Sequence, residues 1–239
     1  MRSKLYAGIR KSILILTLAA ILPIFVSTAD AAHPIPDTPA LYAAIDAANA
    51  SGHPTHITLA KGGTYELYNG PLYITGKIKI KGNNATINGT GDQVFHVTGD
   101  LELINLTVTG GSAESGGGIF NNGTVTLNGN SSIYENTATV AGGGIYNDYG
   151  TVTLNGNSSI SENMAQYDGG GIYNDGGTVI LNGNSSIYEN TATVAGGGIW
   201  NNYGTVTLNG DSSITENMAP YGGGIFNYGT LTPNGHSSI

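Results

Sequence analysis

The sequence predicts an all-β solenoid: a parallel β-helix with three strands and about 27 residues per rung, covered at its N-terminal end by one helix. Three observations carry that prediction. The tetrapeptide GGGI recurs at Gly116–Ile119, Gly142–Ile145, Gly169–Ile172, Gly196–Ile199 and Gly222–Ile225, so its isoleucines stand 26, 27, 27 and 26 residues apart. Between the copies, aliphatic and hydroxyl residues alternate in short runs ended by Asn or Gly, the pattern of half-buried strands. A longer echo overlies the short one: Asn130–Tyr167 matches Asn184–Tyr221 over 38 positions with five differences, which marks a duplicated two-rung block.

The elements follow in chain order. Arg2, Lys4, Arg10 and Lys11 precede the apolar run SILILTLAAILPIFV and then STADAA, the layout of a secretory signal peptide with cleavage near Ala32 or His33. In TPALYAAIDAANAS, Leu41, Ile45 and Ala48 fall at i, i+4 and i+7, with Thr38 as N-cap, Pro39 opening the helix and Gly52 ending it. From His56 the period becomes two, in irregular runs such as PLYITGKIKIKG and LELINLTVTGG. The chain therefore divides into a signal peptide (1–31), a capping helix with irregular first rungs (32–111), and tandem rungs (112–239). The last rung breaks off at GHSSI, so the sequence reads either as a fragment or as a chain whose last rung leaves an open strand edge that invites self-association.

Each unit holds three strand candidates, exemplified by GGIYN, GTVTLNG and SSISEN. Val152 and Leu154 alternate with Thr151 and Thr153, giving one aliphatic and one hydroxyl face, and the pairs Val125/Leu127, Val179/Leu181 and Val206/Leu208 repeat the pattern. One unit cannot enclose a core, so its hydrophobic face and strand edges must be satisfied by stacking on its neighbours. Ile119, Ile145, Ile172, Ile199 and Ile225 then form an internal column. Asn136, Asn163, Asn190 and Asn217 are expected to form an amide ladder at a corner, and the stretch between EN and GGG, where length varies, is expected to be a loop.

Composition excludes several functions. From His33 onward there are four lysines and fifteen acids, net −11, and no Lys or Arg follows Lys81, so nucleic acid is a poor partner. There is no Cys, so an exported chain of this kind must be held by burial and backbone pairing. The glycine runs are not phosphate loops: no Lys follows them, and Asn147 stands where a dinucleotide fingerprint needs its third glycine.

With these motifs in hand, LYAAIDAANASGHPTHITLAKGGTYEL followed by LTVTGGSAESGGGIFNNGTVTLNGN resembles secreted right-handed parallel β-helix proteins of the pectate-lyase-like superfamily. More narrowly, GGGI alternating with IYEN, ISEN and ITEN resembles the repeats of polymorphic outer membrane proteins and adhesin-like surface proteins. The resemblance implies a right-handed coil and a secreted or cell-surface module that contacts glycans or cell-surface proteins. The scaffold also hosts polysaccharide lyases and hydrolases, so a carbohydrate-active enzyme is the competing expectation.

The residues favour the non-catalytic side. A lyase needs a basic group that the repeats lack. A hydrolase needs paired carboxylates; Asp148 and Asp175 hold matching positions on adjacent rungs, but the next copy has Asn202. Glu135, Glu162, Glu189 and Glu216 recur at 27 residues, either as a solvated column or as a weak candidate for bridging Ca2+; no other cofactor is expected. Phe120, Tyr146, Tyr173, Trp200 and Phe226 each follow an inward Ile and should point outward, where they either brace neighbouring rungs or form a binding stripe. His53, His56, His96 and His236 show no metal spacing and are expected in loops or on the surface.

Overall fold

The computed structural model describes residues 33–239, so the signal-peptide reading of 1–31 lies outside the described residues. Those residues form one helix, Thr38–Ser51, followed by strands that pair in parallel with the equivalent strand of the next rung. A seven-stranded sheet, a thirteen-stranded sheet and a four-stranded sheet wrap the same axis, which gives a solenoid of seven turns. Register is strict in the repeats: Ile145 pairs with Ile172, Val152 with Val179 and Ile160 with Ile187. Identical residues thus stack on identical residues, and each rung lends its edge to the next.

The core is the sum of these columns. Ile119, Ile145, Ile172 and Ile199 are fully buried, as are Val125, Val152, Val179 and Val206 and Leu127, Leu154, Leu181 and Leu208. Each such side chain contributes roughly 1.5–3 kcal/mol of burial. The helix covers the first turn by burying Leu41, Ile45 and Ala48. Asn49 fastens it there: its Oδ1 accepts from Thr75 N (2.9 Å) and Gly76 N (3.1 Å), and its Nδ2 donates to Tyr73 O (2.7 Å).

Two expectations are corrected. The N-cap is Asp37, whose Oδ1 accepts from Ala40 N at 2.9 Å, and Thr38 is already helical; both residue types cap well, and Pro39 fits either first-turn position. The corner between EN and GGG is not simply a loop. Ser112–Ser115, Thr137–Ala141, Met164–Ala165 and Thr191–Ala192 pair into the four-stranded sheet, a short extra face that exists because each neighbouring rung supplies its partners. In the first turns, Lys77–Asn88 and Asp100–Thr109 are single long strands that run across both faces that the repeats divide between two strands.

Amides fill the corners. Asn136, Asn163, Asn190 and Asn217 form the predicted ladder, each Nδ2 donating to the next Oδ1 at 2.9–3.0 Å. A second, fully buried ladder links Asn121, Asn147, Asn174 and Asn201 and ends on Asn227, with steps of 2.6–2.7 Å. A third starts from Glu102 and climbs through Asn128, Asn155, Asn182, Asn209 and Asn234. The glycines answer to the same crowding: a Cβ on Gly170 would lie 2.5 Å from the carbonyl oxygens of both Gly197 and Thr191. They are scaffold, required by backbone-to-backbone approach.

Candidate functional site

On the seven-stranded sheet the side chains alternate strictly between the core and the outside. In Ile172–Asp175, Ile172 and Asn174 are buried, while Tyr173 and Asp175 are only partly covered. Stacked rungs therefore produce two outward rows, one aromatic and one polar.

The aromatic row brings together all five predicted rings. Phe120, Tyr146, Tyr173 and Trp200 stack in succession with centroids 5.3, 5.0 and 5.9 Å apart and planes within 6° of parallel. Phe226 continues the row at 4.6 Å from Trp200. The row is longer than predicted. His96 stacks on Phe120 at 5.1 Å, and Tyr73 lies against His96 at 5.6 Å with its plane tilted by 43°, so the row runs through all seven turns. His96 is thus a strand residue within the aromatic stack, not a loop histidine. LYI and FHV carry the same in–out–in pattern as IYN, the sequence signal that places Tyr73 and His96 in the row.

Further rings border this face. Tyr149 and Tyr203, 78% and 82% exposed, hold left-handed backbone (φ 55° and 54°) at the end of the strand. Tyr228 closes edge-on against both Trp200 and Phe226. Nothing in the strand alternation marked these tyrosines, because they lie in the turn beyond it.

The polar row contains Asn122, Asp148, Asp175 and Asn202. Asp148 and Asp175 are register partners, as expected. Each is held by the amide on its far side: Asn122 Nδ2 donates to Asp148 Oδ2 at 2.7 Å, and Asn202 Nδ2 to Asp175 Oδ1 at 2.9 Å. On the other side of the rings, before the glycine corner, Asp168 pairs in register with Ala141 and Ala195. Its Oδ1, like Trp200 Nε1, is out of contact with water and has no hydrogen-bond partner.

The electrostatics follow from this layout. The Tyr146 hydroxyl is pushed up to about 12, first by burial and then by Asp175, Tyr173 and Asp148. Tyr173 is pushed up by burial, then by Asp175 and Asp168, against a smaller opposing effect of the neighbouring Trp200 N–H, which lies near the hydroxyl without hydrogen-bond geometry. Burial raises Asp168 against a smaller opposing effect of the Ala195 backbone. These shifts describe a partly dry aromatic strip in a negative field.

The other predicted residues lie elsewhere. Glu135, Glu162, Glu189 and Glu216 are exposed, each with φ between 50° and 56°, at the bend just before the predicted ladder Asn. Among the described residues no three His, Asp or Glu side chains gather as a metal site. His53 and His56 lie near Lys77 and Lys79, which pair with Asp100 (3.3 Å) and Glu102 (3.0 Å) on the thirteen-stranded sheet, around grooves away from the rings.

The fold and this face define a β-solenoid with a continuous outward aromatic column. A family model described as the Chlamydia polymorphic membrane protein (Chlamydia_PMP) repeat matches residues 151–175. Those residues make one rung, from the strand Thr151–Leu154 through the ladder Asn163 to the end of Ile172–Asp175, so this rung is similar to that repeat. No curated protein and no solved structure matches the chain.

Proposed function

We propose that this chain is an exported, non-catalytic, right-handed β-helix of the pectate-lyase-like kind, displayed at the cell surface as an adhesin-like module that holds glycans along its aromatic column. One observation carries the reading: seven rings in register, partly open to solvent, on one face of a rigid solenoid. Stacked on one another, these rings turn their edges outward as one continuous apolar ridge at the rung spacing of about 4.8 Å. That pitch is comparable to the length one pyranose adds to an extended polysaccharide. The apolar C–H surfaces of sugars pack along such a ridge, while Asp, Asn and Tyr at the margins accept and donate hydroxyl bonds. The likeness of one rung to a membrane-protein repeat is in keeping with surface display.

The reading is tested by affinity electrophoresis in gels containing immobilised polysaccharides. The wild-type chain is expected to be retarded by at least one of them, and Tyr146→Ala/Tyr173→Ala to lose that retardation while keeping its β circular dichroism. Unchanged retardation of the double variant contradicts the aromatic-column reading. Release of unsaturated or reducing ends by the purified protein contradicts the non-catalytic one.

A further inference from the structure

The aromatic column runs between carboxylates. Asp148 and Asp175 stand two residues beyond Tyr146 and Tyr173 in the adjoining outward row. Asp168 stands on the opposite flank, and towards the helix Asp92 and Glu114 border a groove of about 520 Å3 that Tyr73 and Phe120 also line. No Lys or Arg follows Lys81 anywhere in the chain. Lys77 and Lys79 belong to a different sheet and are paired there with Asp100 and Glu102. The aromatic ridge thus carries on both flanks carboxylates that only accept hydrogen bonds, Asp148 and Asp175 on one side and Asp168 on the other, with the Asn122 and Asn202 amides at the ends of the first row.

We propose, on the footing of the glycan-binding reading above, that this face selects polysaccharides without negative charge and takes amino-bearing ones most tightly, with Asp148, Asp175 and Asp168 as the selecting residues. A chain lying along the Tyr146–Tyr173 ridge sets its edge hydroxyls or ammonium groups against Asp148 and Asp175 on one edge and faces Asp168 on the other. Hydroxyls and ammonium groups donate and are accepted there. A uronate or sulfate placed on the same rings brings like charge within a few ångströms of two carboxylates, in surroundings drier than bulk water where the repulsion is magnified. The orphaned Asp168 Oδ1 marks the Tyr173 rung as one with a polar group left unsatisfied within the chain. Asp175 takes part without being tied up, since it spends one oxygen on Asn202 and keeps acceptor capacity on the other.

The test compares chitosan, a neutral β-glucan and polygalacturonate as immobilised ligands for the wild-type chain, for Tyr173→Ala and for Asp148→Asn/Asp175→Asn. The double Asn variant is expected to fold, because Asn202 already occupies the equivalent position one rung on. The expected order is chitosan, then β-glucan, then polygalacturonate, the last weaker than the neutral chain by on the order of tenfold. The chitosan preference should shrink as salt is raised, and the Asn variant should lose it while gaining affinity for polygalacturonate. Polygalacturonate bound as tightly as β-glucan, and released by Tyr173→Ala, overturns the charge selection and leaves glycan binding standing. Retention of none of the three overturns both readings, as does retention of a basic peptide alone.

Discussion

Replacing Asn174 by Ala should destabilise the solenoid several times more than the same change at Asn227, although both residues belong to one ladder. Asn174 accepts from Asn147 Nδ2 at 2.6 Å and donates to Asn201 Oδ1 at 2.7 Å and to Gly177 O at 3.0 Å. Removing it leaves Asn147 Nδ2 with its bond to Gly150 O, and Gly177 O with its bond from Thr205 N. Asn201 Oδ1 is left with no donor in a fully buried corner. An orphaned buried acceptor costs about 1–3 kcal/mol, and the two other lost bonds add roughly 0.5–1 kcal/mol, so Asn174→Ala should cost about 3 kcal/mol. Asn227 is exposed, and without it Asn201 Nδ2 still reaches Gly204 O at 3.1 Å, so Asn227→Ala should cost under about 1 kcal/mol. Urea unfolding followed by circular dichroism measures both. Equal midpoints for the two variants would refute the idea that a buried, gapless ladder holds this corner.

Other consequences can be checked on the same preparation. Asp168→Ala, which copies Ala141 and Ala195 of the neighbouring rungs, should raise the melting temperature at pH 7 by an amount worth up to about 1 kcal/mol. Burial raises the folded-state pKa of Asp168, so the penalty is absent while the group is protonated in both states and grows as pH rises through that pKa. The gain should therefore vanish near pH 3; a gain that persists there contradicts the assignment. Gly170→Ala should cost about 3 kcal/mol in chemical denaturation, because its Cβ meets two backbone carbonyls at 2.5 Å that no rotamer change can move. Glu162→Gly should be neutral or stabilising by about 0.5 kcal/mol, since φ of 54° strains any residue with a Cβ. Chelator or added calcium should leave the melting temperature unchanged, because the Glu column is exposed and gathers no three-carboxylate cluster; a shift of several degrees would assign it a metal.

Most of the scaffold was readable because the solenoid repeats its physics at a fixed interval. The 26–27 residue period, the inward Ile column and the Asn136–Asn217 ladder all follow from residues that recur at equal spacing. The helix was readable because Leu41, Ile45 and Ala48 share one face. The cap was not, since Asp37 and Thr38 are adjacent residues of equal capping chemistry. The short fourth face escaped because MA and TA are too brief for any periodicity, and their pairing comes from neighbouring rungs. The aromatic row was found where GGGI marked the register and missed at Tyr73 and His96, where no glycine run sets it. The framing of the rings by acids on both flanks depends on how the chain folds back before the corner. Asp168 faces Tyr173 from five residues upstream, a relation that strand alternation does not encode.

The single tryptophan provides a reporter for contact along the aromatic column. Trp200 lies within the stack, between Tyr173 and Phe226. Titrating the purified protein with a neutral polysaccharide while following Trp200 emission should give a saturable change, with a midpoint that moves to much higher concentration in Tyr173→Ala. Binding seen by electrophoresis with unaltered Trp200 emission, or with the same midpoint in Tyr173→Ala, would place the contact surface elsewhere on the solenoid.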